Sequence, residues 1–214
     1  MNFSKLTLFL TFTFLLQGSI QAQDWDSFQS QGQINDLVDN GTELLMATDA
    51  GLVVMDKTTF EKTVFNMSNS NLSNTHIQTI TETTDGTIWI GTFNTVIARF
   101  EGTDFQDITI PQSDELDQNT ELFYLKVAPN SDFWLGTSDG VYHKQDQNWF
   151  HYDGDEMGPN FFEAWDIEIN SSGDVFIASR DVSKFSNGVW TNTTTGTGLS
   201  GYLDADLFFN NAGD

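Results

Sequence analysis

Cysteine is absent from this chain, and positively charged residues are scarce. Without cysteine the protein forms no disulfides, holds no cysteine-ligated zinc and uses no thiol nucleophile. Only 8 lysines and arginines stand against 31 aspartates and glutamates, which gives a formal net charge of −23. A surface with this charge repels phosphate backbones and anionic lipids, so nucleic acid and anionic membranes are not expected partners.

Long hydrophobic runs are also absent, apart from one near the N-terminus. Residues 6–16 form an uncharged apolar run behind Lys5, and a short segment ending in the small residue Ala22 follows it. The run is shorter than the roughly 20 residues of a membrane-spanning helix and is typical of a secretory signal peptide. We therefore expect residues 1–22 to be a signal peptide and residues 23–214 to be exported, without membrane insertion, to the periplasm, the outer cell surface or the medium.

A short segment recurs four times along the chain. Each copy has a large apolar residue first, a small residue third and a hydroxyl residue fourth, at 45–48, 89–92, 134–137 and 176–179. The small residues Ala47, Gly91, Gly136 and Ala178 are separated by 44, 45 and 42 positions. Short strands that recur at this period are typical of a β-propeller with four strands in each blade. The sequence therefore predicts an all-β propeller.

The second copy displays the strand pattern of one blade. Strand-like runs occupy residues 77–82, 87–92, 96–100 and 105–110. Asp-Gly at 85–86 lies between the first two runs and predicts a type I′ hairpin turn, because both residues tolerate a positive φ. An aromatic residue opens each predicted fourth strand, and we expect this series to pack in the core; its members are Trp25, Phe60, Phe105, Trp149 and Trp190.

The pattern is incomplete at both ends. Residues 25–29 match a fourth strand without its first three, and residues 205–209 match a first strand with a turn after it. Propellers commonly share strands between their termini, which removes exposed sheet edges. We therefore predict four blades plus the first strand of a fifth, in an incomplete ring that belongs to a polypeptide continuing beyond Asp214.

The chain resembles the two-component regulator propeller repeat family over most of residues 25–214. The resemblance is carried by Asn-Leu-Ser-Asn at 71–74, by Asp-Gly at 85–86 and by Ile-Trp-Ile-Gly-Thr at 88–92. The closing Gly-Leu pair of the family has counterparts in Gly51 and Gly140, whereas Thr95 and Val182 stand at the corresponding positions of the other two copies. Since glycine there permits a positive φ, we expect these two loops to differ from the others.

That resemblance implies one of two roles. Members serve as propellers in the sensor half of hybrid two-component systems, and others are secreted or surface proteins without a kinase. We expect a non-catalytic, ligand-sensing or interaction module at the bacterial cell envelope. Two alternatives stay open: a secreted structural or adhesive propeller without a signalling role, and a polysaccharide-active enzyme.

Little in the sequence suggests catalysis, and we expect no enzyme activity, no cofactor and no metal. The three histidines, His76, His143 and His151, lack the short spacing of metal ligands. The acidic segment 152–156 lacks the spaced ligands of a complete calcium loop, and no nucleophile elbow is present. A pair of glycosidase-type carboxylates stays open, because acidic residues are abundant.

Propeller geometry also predicts where a ligand would bind. The loops between second and third strands share one face with the connections from each fourth strand to the next blade. Amide, carboxylate and aromatic groups in these loops would suit a neutral glycan, and a protein partner is also possible. The candidate ligand-binding residues are Asn74, His76, Asn94, Glu121, Asp139, Asn160, Phe162, Trp165, Arg180 and Asp181.

Overall fold

Sixteen strands form four antiparallel sheets within residues 32–108, 120–158, 161, 163–193 and 207, which the computed structural model describes. Blade 1 contains β1 (Ile34–Asp39), β2 (Glu43–Thr48), β3 (Gly51–Asp56) and β4 (Lys62–Phe65). Blade 2 contains β5 (Ile77–Glu82), β6 (Ile88–Thr92), β7 (Ile97–Phe100) and β8 (Phe105–Ile108). Blade 3 contains β9 (Leu122–Val127), β10 (Phe133–Thr137), β11 (Gly140–Gln145) and β12 (Asn148–Tyr152). Blade 4 contains β13 (Asp166–Ile169), β14 (Val175–Ala178), β15 (Val182–Ser186) and β16 (Val189–Thr193).

The blades stand side by side with their first strands together. Each sheet is a meander in which consecutive strands pair, and β1 contacts β5, β5 contacts β9 and β9 contacts β13. A series of sheets joined through their first strands is the arrangement of a propeller. Among the described strands no extensive contact joins β1 to β13, so the four blades form an arc. The predicted fold is confirmed.

Apolar side chains fill the space between consecutive blades. Leu45 of blade 1 and Ile90 of blade 2 belong to one buried cluster. Leu122 and Leu135 of blade 3 pack with Ile97 of blade 2 in a second cluster. A third cluster joins blades 3 and 4 and is rich in aromatic residues. The apolar faces of a blade are therefore buried against the neighbouring blades, as expected for a repeat protein.

The first hairpin turn of blade 2 differs from its prediction. The Gly86 N–H donates to the Thr83 carbonyl at 2.9 Å, and Gly86 has a φ of 83° whereas Asp85 keeps a negative φ. This is a three-residue loop, a type I turn followed by one left-handed residue, so the predicted type I′ turn is wrong. Ser131 and Gly173 occupy the same left-handed position in blades 3 and 4, with φ of 70° and 83°.

The aromatic series is also only partly buried. Phe105 is buried at the start of β8, but Phe60 is 62% exposed. Phe60 has a φ of 61° and precedes β4, which begins at Lys62, so its predicted role in the core is wrong. Trp25 lies outside the described residues.

Several predictions fall largely outside the described residues. These are the signal peptide at 1–22, the strand at 25–29 and the strand at 205–209, of which Leu207 alone is described. The Leu207 N–H donates to Asp166 Oδ2 at 2.5 Å. The Asp36 carboxylate likewise accepts a hydrogen bond from a backbone N–H, that of Ile80, between blades 1 and 2.

The ends of the strands define two faces. The loop face carries the β2–β3, β6–β7, β10–β11 and β14–β15 loops together with the connections between blades. The turn face carries the hairpin turns within each first and second strand pair and each third and fourth strand pair. One short helix, α1 (Gly154–Met157), lies in the connection between blades 3 and 4, and Asp153 caps its N-terminus.

Candidate functional site

A polar and aromatic cluster lies on the loop face where blades 1 and 2 meet. The His76 ring stacks on Phe93, with the centroids 4.8 Å apart and the planes 12° from parallel. The His76 Nε2 atom lies 3.2 Å from Asp49 Oδ1. The Asn35 amide donates to Asp49 Oδ1 and to the Ile77 carbonyl, both at 2.9 Å. A carboxylate and a stacked imidazole are thus held on a half-exposed surface.

Two further amides complete this cluster. Asn74 Nδ2 donates to Asn94 Oδ1 at 2.7 Å, and the Thr92 hydroxyl donates to the same oxygen at 2.7 Å. The His76 backbone N–H donates to Asn74 Oδ1 at 2.9 Å, which fixes the loop that enters β5. We call the set Asn35, Asp49, Asn74, His76, Phe93 and Asn94 the His76 cluster.

A bulge at the start of the first strand in blades 1, 2 and 3 helps to place these side chains. The pairing of β1 with β2 skips Asn35, and the pairing of β5 with β6 skips Gln78. The same interruption occurs at Phe123 in blade 3. A bulge inserts an unpaired residue and re-aims its side chain. In blade 1 the freed Asn35 amide reaches across to blade 2.

Three of the ten predicted residues, Asn74, His76 and Asn94, meet in the His76 cluster. Sequence reasoning missed Asn35, Asp49 and Phe93. A signal for Asp49 existed, because it opens the Asp-Ala-Gly-Leu segment at the equivalent loop of blade 1. The bulge that frees Asn35 has no sequence signal.

The structure places two more predicted residues together between blades 2 and 3. The Ser138 N–H donates to the Glu121 carbonyl at 3.0 Å, and the Glu121 N–H donates to the Ser138 hydroxyl at 3.0 Å. The neighbouring Asp139 carbonyl lies 2.5 Å from His151 Nε2. Glu121 therefore lies beside the β10–β11 loop that carries Asp139.

The structure describes three of the predicted residues in or beside blade 4, namely Trp165, Arg180 and Asp181. Trp165 Nε1 donates to Glu163 Oε2 at 2.9 Å, and Arg180 is exposed. Asp181 is 9% exposed, which leaves its carboxylate little access to a ligand. Asn160 and Phe162 lie outside the described residues.

Comparison with known families centres on the same part of the chain. A model described as "Two component regulator propeller" matches residues 71–94. Residues 71–94 are thus similar to a two-component regulator propeller repeat. The matched residues begin before Asn74 and end at Asn94, so this repeat contributes four of the six residues of the His76 cluster. The resemblance inferred from the sequence is confirmed.

Solved structures with the same fold come from proteins of different kinds. The extracellular domain of BT3049, a proposed hybrid two-component system of B. thetaiotaomicron, has a TM-score of 0.60 and 18% identity, over 75% of this chain and 23% of that one. PorZ, a surface component of the type-IX secretion system of Porphyromonas gingivalis, has a TM-score of 0.56 and 13% identity, over 76% of this chain and 23% of that one. Virginiamycin B lyase from Staphylococcus aureus has a TM-score of 0.57 and 13% identity, over 79% of this chain and 59% of that one.

These similarities show the propeller fold alone, because the identities are low. The chain spans less than a quarter of the BT3049 and PorZ chains. Comparison with curated proteins gave no match. In the part of the chain that the structure describes, no helix is long and apolar enough to cross a membrane, and no three His, Asp or Glu side chains are grouped as metal ligands.

Proposed function

We propose that this chain is a non-catalytic, ligand-sensing or interaction propeller of an exported protein at the bacterial cell envelope. In this proposal the loop face binds the ligand, and the His76 cluster is the centre of the contact. The family of the matched repeat and the fold shared with the BT3049 extracellular domain support a sensor module. Export is supported by the signal-peptide pattern of residues 1–22.

The observation that carries the proposal is the composition of the His76 cluster. It combines a ring pair, His76 and Phe93, with amides and the Asp49 carboxylate on a partly exposed surface. Stacking surfaces with a few convergent polar groups are typical of sites for small polar ligands such as sugars. Its members belong to two blades, so a bound ligand would contact both.

Among the described acids, Asp36 has a raised pKa but a structural environment. Burial raises the pKa of Asp36, although Ile80 and Leu37 backbone bonds and the Thr79 hydroxyl counteract it. Its carboxylate is engaged by those donors between two blades and does not face an open cleft. Perturbed acids at catalytic sites are expected in clefts instead. The lyase among the structural neighbours shows that the fold accommodates an enzyme.

The test is binding of the full chain to a glycan array, followed by calorimetry on any glycan class that binds. Substitutions Phe93→Ala and His76→Ala should each weaken binding by about tenfold or more, since they remove one ring of the stacked pair. The matched control is Phe60→Ala, which removes an exposed aromatic residue of blade 1 that is not part of the cluster. Its affinity should equal that of the wild type.

Other results would favour other roles. Turnover of a bound polysaccharide, seen as new reducing ends, would replace the proposal with the enzyme. Absence of any binding would favour the structural or adhesive role. Fusion of residues 1–22 to a reporter that is active only outside the cytoplasm tests export independently, and an inactive reporter would contradict it.

A further inference from the structure

A cleft opens on the turn face between blades 3 and 4, at the opposite end of the strands from the His76 cluster. Its volume is about 570 Å³, within the range of about 300 to 1,000 Å³ that is usual for small-ligand pockets. The first hairpin turns of both blades and the β15–β16 turn form its rim, at Asn130, Ser172 and Asn187. We call it the blade 3–4 cleft.

Aromatic side chains form much of the wall of the cleft. Phe150 and Tyr152 of blade 3 and Phe185 of blade 4 line it. The Phe150 and Tyr152 rings are 6.5 Å apart and 11° from parallel, and the Phe185 ring lies 5.8 Å from Tyr152. Phe150 is 42% exposed, and the other two rings are half-buried. A ligand in the cleft would therefore meet accessible aromatic surface on both blades.

One carboxylate, that of Asp132, lies at the inner part of the cleft. Asp132 directly precedes β10 and lines the cleft with 10% of its side chain exposed. Its Oδ2 atom accepts a hydrogen bond from the Asn130 amide at 3.0 Å and lies 3.0 Å from His143 Nε2. The more distant Gln145 amide also points to Oδ2, at 3.4 Å. Among the described residues no donor reaches Oδ1, which stays available to a donor in the cleft.

The charge of this carboxylate is not compensated within the cleft. Burial lowers the pKa of His143 and outweighs the Asp132 hydrogen bond and charge, which raise it. The imidazole is therefore neutral at neutral pH. No lysine or arginine is found among the described residues that line the cleft. Carboxylates that are largely buried are normally paired with a cation, so Asp132 is an exception.

Blade 4 shows the same arrangement with a cation in place. Asp174 and Lys184 hold the positions in blade 4 that Asp132 and His143 hold in blade 3. The Lys184 ammonium lies 2.6 Å from Asp174 Oδ2 and 5.4 Å from the centre of the Phe176 ring. Acid, ammonium and aromatic ring thus come together within one blade. Blade 3 has the acid and the rings but a neutral imidazole where blade 4 has its ammonium.

The corresponding cleft between blades 1 and 2 also contains a cation. Glu43 holds the position of Asp132 in blade 1, directly before Leu44, and it lines this cleft together with Arg99. The Arg99 guanidinium forms an ion pair with Glu101 at the rim. Among the described residues Asp132 therefore differs from both Glu43 and Asp174, because no cationic side chain accompanies it.

From this contrast we propose that the blade 3–4 cleft binds a primary alkylammonium group. The ammonium donates to Asp132 Oδ1, and the alkyl chain lies against Phe150 and Phe185, where cation–π attraction adds to apolar contact. The net charge of −23 attracts such cations to the protein. This site is independent of the loop-face proposal, since the two sites share no residue and lie at opposite ends of the blades.

The test is an NMR titration of the full chain with two amines in salt of about 150 mM, which screens non-specific attraction between exposed charges. Cadaverine represents a free diamine, and Nα-acetyl-lysine amide represents a lysine side chain of a partner protein. At least one should bind, and the tighter of the two identifies the source of the ammonium. Nα-acetyl-norleucine amide, which lacks the ammonium, should not bind. Failure of both amines, or equal binding of the norleucine derivative, would overturn the proposal.

The Asp132→Asn variant should weaken amine binding about tenfold or more, because it removes the charge that the ammonium meets. Asp174→Asn is the matched control, since it removes the same charge from the equivalent position of blade 4, and it should leave the affinity unchanged. A similar loss in both variants would show attraction to the overall charge and would overturn the site. Phe150→Ala should weaken binding about fivefold, whereas Phe60→Ala should have no effect.

A third variant, His143→Lys, gives blade 3 the arrangement of blade 4. Its tethered ammonium should pair with Asp132 as Lys184 pairs with Asp174, so binding of added amine should be lost. Thermal unfolding would verify that each variant folds. A folded His143→Lys protein that still binds the amine with wild-type affinity would contradict the proposal.

Discussion

At the scale of single residues, the third position of the repeated segment sets how closely two blades approach. A Cβ atom added to Gly136 would lie 2.6 Å from the Ala164 carbonyl oxygen in the chain entering β13. One added to Gly91 would overlap the Leu122 side chain at the start of β9. Blades 1 and 4 have Ala47 and Ala178 there, both fully buried. A small residue is therefore required by the neighbouring blade, since interiors are close-packed.

This packing predicts that Gly136→Ala destabilises the protein by about 1 to 3 kcal/mol through overpacking. The control is Gly102→Ala, at a turn where nothing lies within 4 Å of the added Cβ. Gly102 has a φ of 85°, so that change should cost only the backbone strain of about 1 to 2 kcal/mol. Urea unfolding measures both. A smaller loss for Gly136→Ala than for Gly102→Ala would contradict the packing explanation.

A buried carboxylate links the first strands of blades 1 and 2. Asp36 Oδ2 accepts from the Ile80 N–H at 2.9 Å and from the Thr79 hydroxyl at 3.0 Å. Burial raises the pKa of Asp36 above its ordinary value of 3.8. The folded protein therefore keeps this proton to higher pH than the unfolded chain does. The resulting stabilisation is complete below 3.8 and is lost as pH rises through the raised pKa.

Comparison of the wild type with Asp36→Asn isolates this contribution. The wild type should lose free energy of unfolding relative to the variant as pH rises from about 4 to about 7. Asp39→Asn is the opposite control, because the Lys57 hydrogen bond lowers the pKa of Asp39. Relative to that variant the wild type should gain stability as pH rises to about 4, and the difference should stay level above that pH. Urea midpoints at several pH values check both slopes, and equal slopes would refute the assignment.

At the scale of elements, the β-strands repeat but the loops on the loop face do not. Strand pairing leaves two residues between β2 and β3 and between β10 and β11. The β6–β7 loop is longer, and the Thr92 N–H donates to the Val96 carbonyl. Thr95 in this loop has a φ of 63°, so the expected departure from the glycine-containing loops is observed. Phe93 follows β6 directly, at the position that Asp49 and Ser138 hold in blades 1 and 3, and its N–H donates to the His76 carbonyl at 3.0 Å.

Thr95 is β-branched in a left-handed conformation, and this predicts that Thr95→Gly stabilises the protein. Relief of about 1 to 2 kcal/mol of strain should exceed the entropic cost of glycine, about 0.5 to 1 kcal/mol. Thr58→Gly is the control, because Thr58 lies in an exposed turn without a positive φ. It should lower the thermal midpoint. A lower midpoint for Thr95→Gly as well would show that the loop carries no strain.

At the scale of the whole molecule, each blade depends on its neighbours. The interface of blades 3 and 4 combines Trp134 and Phe185 with an ion pair between their first strands, Lys126 Nζ to Glu168 Oε1 at 2.8 Å. The equivalent position to Trp134 in blade 1 is Leu45, which faces blade 2. In such arrays stability is a sum of blade and interface contributions, so damage at one interface should act locally.

Trp134→Ala and Leu45→Ala should therefore destabilise different parts of the arc. Truncation of Trp134 should cost about 3 to 5 kcal/mol and that of Leu45 about 2 to 5 kcal/mol. Hydrogen exchange should increase most in β13–β16 for Trp134→Ala and in β1–β8 for Leu45→Ala. A uniform increase over all four blades in both variants would show that the arc unfolds as a single unit.

The candidate site was less predictable than the fold. Asn74, His76 and Asn94 were found because they lie in loops next to predicted strands. Phe93 was missed because the His76 ring on which it stacks belongs to a different loop, and no local pattern shows that contact. No sequence pattern predicted the cleft between blades 3 and 4, because Trp134 and Phe150 look like ordinary core or surface aromatic residues of a strand. Similarly, Phe60 fits the spacing of the aromatic series but precedes β4 on the surface.

By itself the sequence determined the four-stranded pattern of the four described blades, because alternating apolar residues and the turn residues that bound them recur in each copy. The period of the repeat determined the propeller, since a four-stranded sheet of this size has to cover its faces with copies of itself. Tertiary structure alone decided which side chains meet. Bulges, loop lengths and the approach of neighbouring blades depend on contacts between residues more than forty positions apart, such as Asn35 and Ile77, and no local pattern encodes them.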